Sequence, residues 1–404
     1  MKKFTKMCAV AACALFAGTA TVSAEDYVWK SVTAGDATTY GIRSDGSLWS
    51  WGWNEKGQGG NGVSERTATP TLADGNRVWK KAVGGKAYGF FLAEDGSLWA
   101  AGTHEGGVQG TNDGIDHKVL TRIGTDNDWA DMACSRFWGY SGFAIKTNGT
   151  LWAWGKNSAG QLGIGNTQAQ TAPVQVGADM DWKQVAAGCS SVLALKTDGS
   201  LWGWGFNMYS ELFGHEGKQL SPVRLGSETD WEQVVVIDFR AYAVKKDGTL
   251  WAWGDNANNL LGFNTPTEEE TTAEGNPVEV VTVPQITAPT HVTSIEGKVL
   301  TISGCENTLS VATGTDGVIE KVWMLGSNTD GALGDGKGLG NGNKDIPFAK
   351  VPVHPSLKSS LKFAGMSSGQ NYTVMLTTDG DIWGWGCNLS LIHISEPTRR
   401  TPIS

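Results

Sequence analysis

The chain has 404 residues, a formal net charge of −9 and only 18% charged residues, together with 55 Gly and 19 Trp. This composition excludes a disordered chain, which needs few aromatic residues and a high net charge. No apolar run reaches the roughly 18 residues of a membrane-spanning helix, so the sequence predicts no membrane span. No basic run is present to neutralise phosphates, which disfavours nucleic-acid binding.

The first 24 residues have the pattern of a secretory signal peptide. A basic start, Met1-Lys2-Lys3, is followed by a stretch of small apolar residues and by Val22-Ser23-Ala24, a cleavage sequence. We therefore expect cleavage after Ala24 and a secreted or periplasmic protein. A lipoprotein anchored at Cys13 is the alternative, but its apolar stretch before the cysteine is too short.

The other end of the sequence resembles the translation of a sequencing-library adaptor. Residues 389–404 stand where a polar, Gly-rich loop follows the same motif elsewhere in the chain. We interpret them as a non-native tail, with a short native tail as the alternative. Residues 25–388 are then the expected mature protein.

A sequence repeat of about 50 residues recurs along the chain. It contains an Asp-Gly or Asn-Gly turn and then a Trp-containing strand, as in Asp45-Gly46 before Leu48-Trp49-Ser50-Trp51. Because such a turn joins two short β-rich runs, it predicts a hairpin. With the upstream half that begins at Trp29, each repeat predicts a four-stranded meander. The seven turn glycines are Gly46, Gly96, Gly149, Gly199, Gly248, Gly317 and Gly380.

Seven such repeats predict an all-β fold, a seven-bladed β-propeller of four-stranded antiparallel blades over residues 25–388. Irregular insertions are expected at about 264–298 and 334–360, where the repeat intervals lengthen. The seventh repeat stops after Asn388, so the last blade is expected to be incomplete.

The segment from Trp154 to Gly165, WGKNSAGQLGIG, closely resembles the repeat of the regulator of chromosome condensation family. The resemblance covers roughly residues 29–388 and implies a seven-bladed propeller. It also implies two known family roles, nucleotide exchange on a small nuclear GTPase and, in secreted bacterial relatives, inhibition of β-lactamase. The exchange role conflicts with export and with an acidic chain. The position where the family often has His holds other residues here, among them Ser141, Ser191 and Arg240.

The binding hypothesis follows from topology. In each meander, the loop between strands one and two and the loop after strand three lie on one face of the ring, here called the loop face. The Asp-Gly turns lie on the opposite face, the turn face. Aromatic residues and Arg dominate interface hot spots, and several fall outside the repeat pattern on the loop face. The candidate binding residues are Trp53, Arg136, Phe137, Trp138, Tyr140, Phe206, Tyr209, Phe239 and Arg240. Tyr40 and Tyr242 align with core positions and are excluded.

The sequence predicts no catalytic site, no metal site and no cofactor. The histidines are scattered, no G-x-S-x-G motif occurs, and the cysteines lack zinc spacing. Cys134, Cys189, Cys305 and Cys387 are free thiols or, for Cys134 and Cys189, a disulfide in an oxidising compartment. The acidic segment around Asp335 and Asp345 lacks the ligand spacing of a calcium loop.

The favoured function is an exported binding module that engages an unknown protein partner through the aromatic loop face. The alternative is carbohydrate or cell-wall binding, because exposed Trp and Tyr side chains stack on sugar rings. A propeller enzyme and a nucleotide-exchange factor are the weaker alternatives.

Overall fold

The computed structural model describes residues 28–136, 139–257, 260–263, 285–306, 308–326, 332–333 and 363–386. It also gives the backbone of four short strands at 2–3, 269–271, 277–279 and 351–352. Strands account for nearly all regular structure in these ranges, where Glu105–Gly107 forms a short 3₁₀ helix. The fold class is therefore all-β.

Five four-stranded antiparallel sheets follow one another along the chain, and each corresponds to one repeat. We call them the first to fifth blades. Within a blade, the strands pair in chain order, so the first strand is innermost and the fourth is outermost. The strands are Trp29–Ala34, Thr38–Arg43, Leu48–Gly52 and Thr67–Asp74; Trp79–Gly84, Tyr88–Ala93, Leu98–Gly102 and His117–Arg122; Trp129–Cys134, Ser141–Lys146, Leu151–Gly155 and Gln170–Gln175; Trp182–Ala187, Ser191–Lys196, Leu201–Asn207 and Gly217–Leu225; and Trp231–Ile237, Arg240–Lys245, Leu250–Asp255 and Gln285–His291.

The fifth blade takes its outer strand from beyond the first insertion. Gln285–His291 pairs with Leu250–Asp255, with Trp251 opposite His291. Between these strands, Glu269–Thr271 and Pro277–Glu279 pair as a separate hairpin. The irregular stretch expected at 264–298 thus contains the fourth strand of a regular blade.

The remaining strands form one eight-stranded sheet, which we call the closing sheet. It consists of two meanders joined by a single pairing, Ile319 with Phe363. Val351–Pro352 and Lys2–Lys3 are added as two-residue strands. The six longer strands are Val299–Cys305, Thr308–Thr315 and Val318–Gly326 in one meander, and Phe363–Gly369, Tyr372–Thr377 and Ile382–Gly386 in the other.

The second meander of the closing sheet packs against the first blade and so closes the ring. Trp51 and Ala34 share one buried cluster with Tyr372 and Val374. The hydroxyl group of Ser367 accepts a hydrogen bond from the Ala34 amide at 2.9 Å. This contact shows a β-propeller, in which the described residues form six sheets around the axis. The predicted outer strand beyond Asn388 lies outside the described residues.

The core lies between neighbouring blades, because each blade presents large side chains to the next. Trp204 of the fourth blade packs with Phe143 of the third, with ring centroids 6.4 Å apart. Its indole nitrogen donates to the Gln161 carbonyl at 2.8 Å. The two excluded tyrosines are core residues, since Tyr40 and Tyr242 are each 1% exposed.

Candidate binding surface

Glycines with a left-handed backbone lie at or near the ends of the third strands and direct the chain into the loops that follow. Gly205 lies two residues before the end of the third strand of the fourth blade and has φ +97°, a left-handed conformation. A Cβ atom there would lie 2.2 Å from the Ser190 carbonyl oxygen. Phe206 and Asn207 complete the strand, with the Phe206 amide bonded to the Ser190 carbonyl of the first loop, and the loop that carries Tyr209 follows.

An aromatic pair joins the fourth and fifth blades on the loop face. The Tyr209 and Phe239 ring centroids are 4.9 Å apart, with their planes inclined at 49°. Both side chains are half-buried, and Met208 next to them is 45% exposed. Phe206, also half-buried, lies 5.9 Å from the Lys218 ammonium group. We call Phe206, Met208, Tyr209 and Phe239 the aromatic patch.

A buried carboxyl group lies beneath the patch. Glu211 has no exposed surface, and its Oε2 accepts a hydrogen bond from the Tyr209 amide at 2.8 Å. The Ser191 hydroxyl group donates to its Oε1 at 3.4 Å. Burial raises the pKa of Glu211 to about 7, against these hydrogen bonds, which lower it. The titration of this carboxyl group therefore falls near neutral pH.

The fifth blade carries a buried ion pair on the same face. Arg240 donates from Nη2 to Asp255 Oδ2 at 3.1 Å and from Nη1 to the Glu306 carbonyl at 3.0 Å. Asp238 lies beside Phe239, and burial raises the pKa of its carboxyl group. The Cys189 thiol donates to Asp238 at 3.4 Å. Arg240 is thus a buried structural partner and is only 7% exposed.

Arg136 crosses the centre of the ring instead of pointing outward. Its Nη1 donates to the Gly304 carbonyl at 2.9 Å and also to the Ser368 carbonyl. Both acceptors belong to the closing sheet, so this side chain ties the third blade to the opposite side of the axis. Cys305, buried beside it, donates to Asp36 at 3.6 Å.

Two further candidates lie apart from the aromatic patch. Trp53 is half-buried on the first blade, where its carbonyl accepts from the Thr38 hydroxyl at 2.5 Å. Tyr140 is 5% exposed and packs on Tyr88, with centroids 5.9 Å apart. Phe137 and Trp138 lie outside the described residues. Of the nine candidates, the structure brings together Tyr209 and Phe239, with Phe206 close by at the end of the preceding strand.

The alternative Cys134–Cys189 disulfide is not formed. Cys134 and Cys305 are free cysteines in this structure, and Cys387 lies outside the described residues. Burial raises the pKa of the Cys134 thiol to about 12, which keeps it in the unreactive thiol form at neutral pH. In the described part of the chain, no three His, Cys, Asp or Glu side chains are grouped to hold a metal ion.

Sequence reasoning missed Met208, Glu211 and Asp255. A signal for Glu211 exists, because aligned repeats have Gln58, Gln109 and Gln161 at the same place. Met208 carries no signal of this kind, since only the folded loop shows that its side chain is exposed. Across the described ranges, no helix is both long and apolar enough to span a bilayer.

Comparisons with known proteins agree with this architecture. The family model described as the regulator of chromosome condensation (RCC1) repeat matches residues 45–92 and 148–195, and a second model of that repeat matches 29–58 and 363–390. The Arabidopsis thaliana ultraviolet-B receptor UVR8 is 29% identical over 162 residues, which are 40% of this chain and 37% of the receptor. The match thus spans little more than a third of that relative's length.

Solved structures show the same fold at low sequence identity. Human WBSCR16 superposes with a TM-score of 0.68 at 16% identity, covering 90% of this chain and 87% of the other. Prp20p from Saccharomyces cerevisiae superposes with a TM-score of 0.67 at 17% identity, covering 88% of this chain and 81% of the other. The chain thus contains RCC1 repeats and forms a β-propeller, the fold that these solved structures share.

Proposed function

We propose that the chain is an exported, non-enzymatic binding propeller that docks a partner protein on the aromatic patch. The observation that carries the proposal is the half-exposed Tyr209–Phe239 pair beside Met208, which is 45% exposed. Aromatic residues and Met are enriched at the cores of protein interfaces. Two rings held on adjacent blades supply a rigid anchor with little conformational entropy to lose.

The position of the patch supports a binding role. It lies on loops, where sequence can vary without disturbing the blades that hold them. The structure of Prp20p was reported together with its binding properties to Gsp1p and histones. That description concerns another propeller of similar fold, and it supports protein binding here without naming a partner.

The proposal includes export and a ring of seven blades. The basic start and the cleavage sequence ending at Ala24 support export. A division of the closing sheet into a sixth and a seventh blade is supported by its two meanders, which among the described residues share the single Ile319–Phe363 pairing. N-terminal sequencing of the purified mature protein tests export, with Glu25 expected as the first residue.

Site-specific photo-crosslinking tests the binding surface. A photoreactive residue placed at Met208 is expected to capture a partner protein from the exporting cells. The same residue at Met180, 61% exposed and next to a turn of the opposite face, is the matched control. With the captured partner purified, Met208→Glu is expected to weaken binding at least about tenfold, whereas Met180→Glu leaves the affinity unchanged.

Two results would refute this role. Equal crosslinking at both methionines would remove the assignment to the loop face. If no protein is crosslinked but the native chain gives a glycan-array signal that Tyr209→Ala abolishes, carbohydrate binding is favoured instead.

A further inference from the structure

One position in the repeat changes its chemistry in the fourth blade. In the first and third blades, the oxygen of a Gln side chain accepts a backbone amide two residues earlier, at 3.1 Å for Gln58 and 2.9 Å for Gln161. Glu211 makes the same contact to Tyr209 at 2.8 Å. The backbone geometry is thus kept, while a neutral amide is replaced by a group that can lose a proton.

The surroundings of Glu211 oppose its ionisation. Asp255, on the third strand of the fifth blade, adds a negative charge that raises the pKa of Glu211. The nearby cation, Arg240, forms its ion pair with Asp255. In the first loop of the fifth blade, burial and the negative charge of Asp255 also raise the pKa of the Asp238 carboxyl group. Ser191, on the second strand of the fourth blade, supplies a neutral hydroxyl group.

Glu211 also belongs to the loop that carries the aromatic patch. Its carbonyl accepts from the Trp253 indole at 2.8 Å, which fixes the loop to the fifth blade. Asn207 closes the same loop by accepting the Leu212 amide at 2.9 Å. The carboxyl group and the Tyr209 ring are therefore two residues apart on one short, anchored segment.

We propose that the Glu211 carboxyl group is a proton-operated latch, which holds the 207–212 loop closed when protonated and favours its opening towards water when ionised. An ionised carboxylate with no exposed surface must recover its hydration, and local opening is the available route. The consequence for partner binding rests on the proposed function, whereas the opening of the loop is independent of it.

The direction and size of the effect follow from proton linkage. The pKa of Glu211 is about 7 in the closed loop and falls towards its ordinary value of 4.5 when the loop opens. The open form therefore binds fewer protons, and the opening equilibrium should rise about tenfold between pH 6 and pH 8.

Hydrogen exchange of residues 206–213, corrected for intrinsic rates, tests this in the full chain. Exchange at pH 8 relative to pH 6 is expected to increase about tenfold in the native protein and to stay flat in Glu211→Gln. The third-blade loop around Gln161 is the internal control and should not respond. Gln161→Glu should transfer the response to that loop, because it repeats the same contact.

Each other outcome rejects the latch. A pH response that survives in Glu211→Gln would show that a group other than Glu211 causes it. A flat native profile would show that the loop does not open on ionisation. Since exchange needs no partner, these failures are distinct from a failure of Met208→Glu to weaken binding.

Discussion

The two faces of the ring differ in how far their contacts repeat. On the turn face, one set of hydrogen bonds recurs from blade to blade. Asp45 accepts from the Ser47 hydroxyl at 2.6 Å, and that hydroxyl accepts from the Trp49 indole at 2.8 Å. The hydroxyl–indole contact recurs at Ser97, Thr150, Ser200 and Thr249.

A cation completes the repeated arrangement in several blades. Lys196 lies 5.1 Å from the Trp182 ring and 4.4 Å from the Trp202 ring, while pairing with Asp179 at 2.8 Å. Lys146 and Lys245 occupy the same place in the third and fifth blades. Each cation–π contact contributes little free energy, but its repetition stabilises the turn face in several blades.

On the loop face, nearly every blade differs. The third sends Arg136 across the axis, the fourth buries Glu211, and the fifth buries the Arg240–Asp255 pair. Repeated residues therefore hold the blades together, whereas departures from the repeat place buried charged groups and a half-buried aromatic pair on the loop face.

The largest expected effect is at the buried ion pair. Arg240→Met should lower the free energy of unfolding by about 3–5 kcal/mol, because Asp255 would keep a buried charge without its cation. Denaturant unfolding monitored by tryptophan fluorescence measures this. Adding Asp255→Asn should recover most of the loss. An equal loss in the double variant would mean that packing, and not the unpaired charge, dominates.

The next effect is the pH dependence of Glu211→Gln. Because the folded-state pKa of about 7 is raised above the ordinary 4.5, the native carboxyl group favours folding below pH 4.5 and this advantage is lost as pH rises through 7. At pH 8 the Gln variant should be more stable by about 3 kcal/mol, with little difference at pH 4. Parallel denaturant titrations at both pH values test this. A pH-independent difference would contradict the sign argument.

A smaller effect is expected at the repeated turns. Ser200→Ala removes the hydroxyl group that accepts the Trp202 indole, and should cost about 1 kcal/mol. Ser97→Ala, in the same arrangement of the second blade, should cost the same within a few tenths of a kcal/mol. Strongly unequal losses in denaturant unfolding would show that the turn face is less uniform than its contacts indicate.

The smallest effect belongs to the stacked lysines. The Lys146 ammonium group bonds Asp126 at 2.6 Å, but that carboxylate is 48% exposed. Lys146→Met should therefore cost only about 0.5 kcal/mol, and less at high salt. Thermal unfolding at two salt concentrations measures it. A loss that grows with salt would exclude the electrostatic explanation.

Much of the fold was predictable because its information is local and repeated. Each Asp-Gly turn fixes a hairpin, and the alternation around Trp49 and Trp51 fixes the face that each ring occupies. The outer strand of the fifth blade was not predictable in the same way, since Gln285–His291 lies beyond an insertion and reaches its place through pairing with Leu250–Asp255.

The candidate site was predictable only in part. Tyr209 and Phe239 were singled out by residue type and face, and the structure brings their rings together. Arg240 and Tyr140 met the same criteria, yet both side chains are buried. Residue type and topology give the face, but exposure depends on which neighbouring loop covers each side chain.

The sequence alone determined the repeat, the four-stranded unit and the division of the ring into a turn face and a loop face. These follow from short-range periodicity and from the left-handed backbone that each turn glycine permits. Only the tertiary structure decided that Arg136 spans the axis, that Glu211 lies without solvent beneath Tyr209, and that Met208 is left outside. Each of these depends on contacts between blades, where distance along the chain carries no information about distance in space.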